Sequence, residues 1–192
     1  MFVQVLRGRA TNRTGLMDQL ERFRQELSPG AEGWLGSTAG VTDDDRFIGS
    51  FRFESQELAQ RNSDRKEQTE WWYETSKWLD TPRFWDCVLV QEYKGGGTDE
   101  AGFVQVIQGR VIDPEGYRRE AMSLGGSPRR DVIGGLIAWD GSRFTEFVYF
   151  TSEEEARKGE RSPGHRTALE KVWPRTGDLD YFDLRQPWFA SP

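Results

Sequence analysis

The chain repeats itself, and this internal duplication restricts its fold more than any other feature of the sequence. Residues 2–9 read FVQVLRGR and residues 103–110 read FVQVIQGR, an offset of 103 minus 2, or 101. Further along, Arg46-Phe47 matches Arg143-Phe144 at an offset of 143 minus 46, or 97. Matches that keep their order along both parts of a chain are the signature of a duplicated unit. The sequence therefore predicts two related halves, fused head to tail.

Hydrophobic periodicity predicts the same element order in both halves. Phe47, Phe51 and Phe53 fall on alternate positions, the period of a strand with one buried face. Asn12 and Asp113 occupy equivalent positions just before an amphipathic segment, where we expect N-caps. The order β-α-β-β-α-β is that of ferredoxin-like units. In the first half we expect a strand at 2–9, a helix at about 13–27, a hairpin of 31–40 and 45–54, a helical stretch over 55–79 broken near residues 63–65, and a strand at 83–92.

A glycine-rich segment at residues 95–101 separates the two copies and is expected to be a linker. The predicted domains are therefore residues 1–94 and residues 102–192, each a ferredoxin-like half of an α+β barrel. A four-stranded sheet with helices on one face leaves its other face to be buried, and the second copy can cover it. The predicted fold class is α+β, with two tandem ferredoxin-like halves forming a pseudo-two-fold dimeric α+β barrel within one chain.

Composition excludes several classes of partner and site. The net charge of −6 disfavours binding to a phosphate backbone, so no nucleic-acid partner is expected. No apolar run approaches the roughly 20 residues that a transmembrane helix needs, so we expect no membrane partner and a cytoplasmic location. The chain has one cysteine, Cys87, and one histidine, His165, which excludes an intrachain disulfide and a zinc site with two histidines. We expect no metal site and no cofactor.

Three short motifs carry a resemblance to a known family. Ser28-Pro29-Gly30-x-x-Gly33, then Arg46-Phe47, then Phe53-Glu54-Ser55 at the start of a helix resemble the antibiotic biosynthesis monooxygenase superfamily. The resemblance covers nearly the whole chain as two tandem domains, and it implies a dimeric α+β barrel. Members of the superfamily include cofactor-independent monooxygenases acting on polycyclic quinols, haem-degrading enzymes and signal-related proteins. Trp71 stands where the haem-degrading branch has its iron-ligating histidine, so haem degradation is not expected in the first half.

The resemblance also implies a pocket between the sheet and the helices of each half. His165 is the candidate catalytic residue, because it is the one side chain whose ordinary pKa lies near neutrality. Leu6 and Ile107 are expected beside the pockets, on the first strand of each half. The candidate substrate-binding residues are Gln4, Asn62, Asp64, Arg65, Trp71 and Trp72 in the first half, and Gln105 and Tyr149 in the second half.

Several of these residues have structural interpretations that compete with ligand binding. Trp71 and Trp72 suit either the hydrophobic core or a cavity wall, because adjacent helix residues point about 100° apart. Ser63 or Asp64 is expected to cap a helix beginning near Glu67. Gln4 and Gln105 either bind ligand or form structural hydrogen bonds, and Asp86 and Asp183 are expected in a salt bridge or an interface bond.

The predicted function follows from the resemblance and the aromatic content. We expect a small-molecule-binding barrel protein that acts as a cofactor-independent monooxygenase on an aromatic, quinol-like substrate. The alternative is a non-catalytic ligand-binding or stress-related protein with the same barrel. The expected partner is a small aromatic molecule, and the expected assembly is an intramolecular pseudo-dimer, either as a monomer or as a further homodimer.

Overall fold

A computed structural model of the chain describes residues 1–117, 119, 129–164, 170 and 176–192. The chain divides into two compact units, one of residues 1–88 with 188–192 and the other of residues 89–187. We call them the first half and the second half. Each contains one antiparallel five-stranded sheet with helices against it, so the fold is α+β as predicted.

The first half follows the predicted ferredoxin-like order. Its sheet has the strand order β10 (Trp188–Ala190), β2 (Trp34–Val41), β3 (Arg46–Phe53), β1 (Phe2–Ala10) and β4 (Leu79–Cys87). The helix α1 (Arg13–Arg22) continues as a wider π-helical turn over Phe23–Leu27. The predicted break in the second helical stretch is confirmed, since α2 ends at Ser63 and α3 begins at Lys66. The elements are β1 (Phe2–Ala10), α1 (Arg13–Arg22), β2 (Trp34–Val41), β3 (Arg46–Phe53), α2 (Gln56–Ser63), α3 (Lys66–Ser76) and β4 (Leu79–Cys87).

The second half repeats this order in the part that the structure describes. Its sheet has the strand order β5-β7-β8-β6-β9. Residues 114–117 are helical, at the position that α1 has in the first half. The elements are β5 (Leu89–Tyr93), β6 (Phe103–Val111), β7 (Val132–Asp140), β8 (Arg143–Phe150), α4 (Glu153–Glu160) and β9 (Thr176–Leu184), and β10 (Trp188–Ala190) follows.

The single strand predicted at residues 83–92 is wrong. Two strands, β4 and β5, stand in its place, and they belong to different sheets. β4 pairs with β1, whereas β5 pairs with β7 from Leu89↔Trp139 to Tyr93↔Gly135. The chain changes sheet again after β9, because the next strand, β10, pairs with β2 of the first sheet. An apolar run indicates a strand but does not indicate which partner its backbone will bond to, so periodicity could not reveal this division.

The capping residues explain why the helices begin where they do. The Asn12 side chain accepts a hydrogen bond from the Gly15 backbone nitrogen at 3.0 Å, and Asp113 accepts one from Gly116 at 3.0 Å, which confirms both predicted N-caps. Ser55 caps α2 in the same way, through the backbone nitrogen of Leu58.

The core of the first half lies between its sheet and its helices. The predicted burial of Phe47, Phe51 and Phe53 is confirmed, and these rings lie on the sheet side of the core. Leu16, Leu20, Phe23 and Leu27 cover them from α1 and the π-helical turn. Phe23, Phe51 and Phe53 of this core also line the candidate site described below.

Candidate functional site

A cavity of about 270 Å³ lies between the sheet and the helices of the first half. Its floor comes from β1, β3 and β4, and its roof from the π-helical turn, α2 and α3. Gln4 and Leu6 reach it because alternate residues of β1 share one face of the sheet. The lining residues are Gln4, Leu6, Phe23, Phe51, Phe53, Ala59, Asn62, Ser63, Gln68, Thr69, Trp71, Trp72 and Phe84.

Aromatic rings form most of the wall. Trp71 is buried, its ring centroid lies 5.3 Å from that of Phe23, and its indole nitrogen donates a hydrogen bond to the Gln19 carbonyl oxygen at 2.7 Å. Trp72 is half-buried and meets Phe84 edge to face, with ring centroids 4.9 Å apart. Trp71 is thus both a core residue and a wall residue, whereas Trp72 keeps a ring surface towards the cavity. Such rings suit a flat aromatic ligand.

Amide groups stand at one end of this aromatic wall. Gln4 donates from its side-chain nitrogen to Asp86 Oδ1 at 2.9 Å, so the bond stays within the first half. Asn62 is buried, and its oxygen accepts a hydrogen bond from Arg65 Nη1 at 3.0 Å. No described residue accepts a hydrogen bond from the Asn62 amide nitrogen, which leaves that donor for a ligand oxygen. The amide oxygen of Gln68 is also buried without a hydrogen-bond partner in the described part of the chain.

The cavity is electrically neutral. Among the described residues, its lining contains amides, hydroxyls and apolar side chains, but no acidic or basic group. Two charged residues form hydrogen bonds with lining amides: Asp86 with Gln4 and Arg65 with Asn62. A neutral wall favours an uncharged ligand, because a buried charge without a partner costs several kcal/mol.

Asp64 and Arg65 do not line the cavity. Asp64 is exposed and accepts a hydrogen bond from Gln60 at 2.8 Å. Arg65 lies behind Asn62 and also donates to the Leu27 carbonyl oxygen at 3.1 Å, which places it as a support for the cavity wall.

The predicted caps of α3 are wrong. Ser63 donates instead to the Ala59 carbonyl oxygen at 3.0 Å, within α2. Asp64 is the C-cap of α2, and the N-cap of α3 is Arg65, whose side chain makes no capping bond.

The equivalent end of the second half is filled by an ion-pair network. Gln105 Nε2 donates to Asp183 Oδ1 at 3.0 Å and to Glu160 Oε1 at 3.3 Å. Arg157 contacts Glu160 at 3.0 Å, pairs with Asp183 and lies over the Phe103 ring. The predicted salt bridge of Asp183 is thereby confirmed. Gln105 therefore donates to two protein acceptors, Asp183 and Glu160, whereas its equivalent in the first half, Gln4, lines the cavity.

The two remaining candidates of the second half lie elsewhere. Tyr149 is fully buried and pairs with Val104, whereas Gln105 pairs with Val148. Neighbouring residues of a strand point to opposite faces, so Tyr149 and Gln105 lie on opposite faces of the sheet. His165 lies outside the described residues.

The sequence missed much of the cavity wall. Phe51 and Phe53 were predicted as the buried face of a strand, and Phe84 as part of the strand at 83–92, but none of them as a cavity residue. Gln68 and Thr69 lie one helical turn before Trp71 and Trp72, a spacing that puts all four on neighbouring positions. Ala59 and Ser63 have small side chains that leave room for the cavity, and their residue types do not indicate a ligand site.

This architecture belongs to the class of ferredoxin-like α+β proteins with a cavity between sheet and helices. Solved structures with the same fold include a candidate monooxygenase from Lactobacillus acidophilus NCFM, with a TM-score of 0.77 at 11% identity over 99% of this chain and 95% of that one. A candidate monooxygenase from Fusobacterium nucleatum subsp. nucleatum ATCC 25586 has a TM-score of 0.79 at 8% identity, with coverage of 99% and 94%. An anthrone oxidase-like protein has a TM-score of 0.66 at 10% identity, with coverage of 100% and 94%.

The chain therefore shares the ferredoxin-like α+β fold of these proteins over nearly its whole length, which confirms the fold class that the sequence predicted. Neither a protein-family model nor a curated protein sequence matches it. In the described ranges no helix is both long and apolar enough to cross a membrane.

Proposed function

We propose that the first half binds a flat, uncharged aromatic molecule and that the chain promotes its oxidation by molecular oxygen without a metal or an organic cofactor. The cavity carries this proposal, because it combines an aromatic wall with the unpaired amide donor of Asn62 at one end. Its volume of about 270 Å³ lies at the small end of ligand pockets. It suits a ligand of two or three fused rings rather than a larger polycycle.

The residues suggest how such a reaction would be assisted. The rings of Trp72 and Phe84 would hold the ligand face, and the Asn62 amide nitrogen would donate to a ring oxygen. A donor placed at that oxygen stabilises the negative charge that forms when a quinol or anthrone loses a proton. The resulting carbanion or phenolate is electron-rich enough to react with oxygen. His165, the predicted base, remains a prediction.

Anthrone is a suitable test substrate, since one structural neighbour is an anthrone oxidase-like protein. Its oxidation consumes one molecule of oxygen and yields one anthraquinone and one water, so oxygen uptake and quinone absorbance must agree. We expect uptake above the buffer rate in the presence of the protein. Binding of anthrone without any increase in uptake would support the second function described below.

The second candidate function is ligand binding without turnover. It is favoured by the absence of an acidic or basic side chain from the described cavity lining, because proton transfer needs such a group within reach. The same cavity would then serve as a sensor or carrier site for an aromatic molecule.

Replacing Trp72 with alanine tests the location of the site. We expect the affinity for a flat aromatic quinone to fall roughly tenfold, because one stacking partner is lost from the wall. Quenching of tryptophan fluorescence during a titration measures the affinity. Tyr73→Ala is the matched control, since Tyr73 is the next residue of α3 and is 66% exposed. Equal losses in both variants would place the ligand outside this cavity.

A further inference from the structure

The second half carries a carboxyl group in the middle of its helix-covered sheet face. Glu146 lies on β8, the central strand of the sheet, between Ile107 of β6 and Ile137 of β7. The same cross-strand row continues to Tyr181 on one side and to Gln91 on the other. Glu146 lies on the side that Tyr117 covers, because Tyr117 packs against Phe144, two residues before it on β8.

A tyrosine from the edge strand holds this carboxyl group. Tyr93 of β5 donates its hydroxyl hydrogen to Glu146 Oε1 at 2.8 Å. The ring reaches across β7 at Gly135, its direct cross-strand partner. A side-chain carbon at position 135 would overlap the Tyr93 ring, so the glycine makes room for the bond. Oε1 of Glu146 is thus fixed, and its other carboxyl oxygen accepts no hydrogen bond from the residues that the structure describes.

No cation neutralises Glu146 in the described part of the second half, and Tyr93 is its hydrogen-bond partner. Burial raises the pKa of Glu146, while the hydrogen bond from Tyr93 acts in the opposite direction. Burial also raises the pKa of Tyr93 well above its ordinary value. A buried carboxyl group without a counter-charge destabilises a fold, and such groups occur disproportionately at functional sites.

Both side chains keep part of their accessible surface, because Glu146 and Tyr93 are each half-buried. Ile107 and Val148, its neighbours on the same face, also keep accessible surface, whereas Phe147 on the opposite face is completely buried. Ligand pockets are lined mainly by apolar side chains with a few polar groups, and this patch has that composition. The patch ends beside Gln105, which pairs with Val148 and is covered by the Arg157–Glu160 network.

The pair is not a requirement of the fold. In the first half, the residue equivalent to Glu146 is Gly49, at the offset of 146 minus 49, or 97. The residue equivalent to Tyr93 is Ala190. Ala190 is the cross-strand partner of Ser37 on β2, just as Tyr93 is the cross-strand partner of Gly135 on β7. Both halves have the same element order, but only the second half has a carboxyl group and a phenol at these places in the part of the chain described.

We propose that the second half contains a separate ligand pocket in which Glu146 accepts a proton from an uncharged aromatic ketone or phenol. The apolar neighbours Ile107 and Val148 would hold the ring system, and Tyr93 keeps the carboxyl group in place. In the step, a C–H or O–H bond of the ligand breaks and its proton moves to the free oxygen of Glu146. The electron pair stays on the ligand as an enolate or phenolate, and return of the proton regenerates the carboxylate. No oxidant is consumed.

Deuterium exchange into 2-tetralone tests this proposal. Its C1 hydrogens are lost and regained through an enolate, and proton NMR in D₂O under argon follows their disappearance. We expect the full chain to exchange them faster than buffer alone, and Glu146→Gln to lower the protein-dependent rate about 100-fold or more. Glutamine keeps the shape and still accepts the Tyr93 hydrogen bond, so a structural role of Glu146 would survive the change.

The control is Glu92→Gln, the same substitution one residue before Tyr93 at an exposed position, which should exchange like the unmodified chain. Should Glu146→Gln fail to fold, Tyr93→Phe leaves the carboxyl group in place without its orienting bond, and its protein-dependent rate should fall about tenfold. An unmodified chain that does not exceed buffer, or a Glu146→Gln variant that exchanges at the unmodified rate, would overturn the proposal. Because argon excludes oxygen, the result is independent of the oxidation proposed for the first half.

Discussion

Replacing Gln60 with arginine and Ser63 with glutamate is expected to abolish ligand binding in the first half. These two residues stand on α2 where Arg157 and Glu160 stand on α4. Both helices begin after a serine N-cap, Ser55 for α2 and Ser152 for α4. Ser63 and Glu160 each lie 8 residues after their cap, since 63 minus 55 and 160 minus 152 are both 8, so the two positions are equivalent. The double substitution therefore gives the first half the network that covers Gln105 in the second.

The two new side chains are expected to weaken binding because they occupy cavity space and bring charges into it. Ser63 lines the cavity and Gln4 borders it, so a glutamate at position 63 and an arginine at position 60 would lie across the Gln4–Asp86 pair. In the second half the same four groups satisfy one another, with contacts of 3.0 Å between Arg157 and Glu160 and between Gln105 and Asp183. We expect the affinity for a flat aromatic ligand to fall at least about 100-fold, or about 2.7 kcal/mol.

A fluorescence titration against quinones measures the loss. The single variant Gln60→Arg is the control, because Gln60 is exposed and does not line the cavity, so binding should stay within about threefold of the unmodified chain. Circular dichroism should show unchanged secondary structure in both variants. Undiminished affinity in the folded double variant would mean that the ligand does not occupy the space beside Gln4.

Replacing Phe23 with alanine is expected to lower the free energy of unfolding by about 3–5 kcal/mol. Phe23 is 1% exposed and its ring contacts three others, with centroid distances of 5.7 Å to Trp34, 5.9 Å to Phe51 and 5.3 Å to Trp71. Removing it joins the existing cavity to a new one, and the surrounding rings lose their contacts on one side. Urea unfolding followed by circular dichroism gives the free energy.

Phe84→Ala is the comparison for this loss. Phe84 also lines the cavity and also contacts a tryptophan, Trp72, but it is 44% exposed. Its removal should cost only about 1 kcal/mol, since nearly half of that side chain is already in water. Similar losses for the two phenylalanines would show that the core of the first half does not depend on the ring cluster around Phe23.

Much of the first-half cavity could be anticipated from the sequence. Gln4, Asn62, Trp71 and Trp72 were predicted as ligand residues, and all four line one cavity. They meet there because strand alternation and helical spacing determine which residues share a face, and both are local properties. Whether these residues bind a ligand remains a prediction that the titrations address.

The second-half pair could not be anticipated. Glu146 and Tyr93 are separated by 146 minus 93, or 53, residues, and their bond depends on β5 pairing with β7 and on the missing side chain of Gly135. In the sequence Glu146 stands between Thr145 and Phe147, where the alternation of β8 already assigns it to the same face as Phe144 and Val148. The sequence therefore indicated only that Glu146 is a charged residue on an apolar strand face, and it did not indicate Tyr93 as its hydrogen-bond partner.

The sequence alone determined three features: the duplication, the ferredoxin-like order of elements and the N-caps at Asn12 and Asp113. All of these depend on interactions within about one turn or one strand, which a local pattern records. Tertiary structure decided which sheet β5 and β10 joined and which half kept open space beside its glutamine. Those outcomes depend on backbone pairing and on side-chain volumes brought together from distant parts of the chain, such as Arg157 beside Asp183, and no local pattern encodes them.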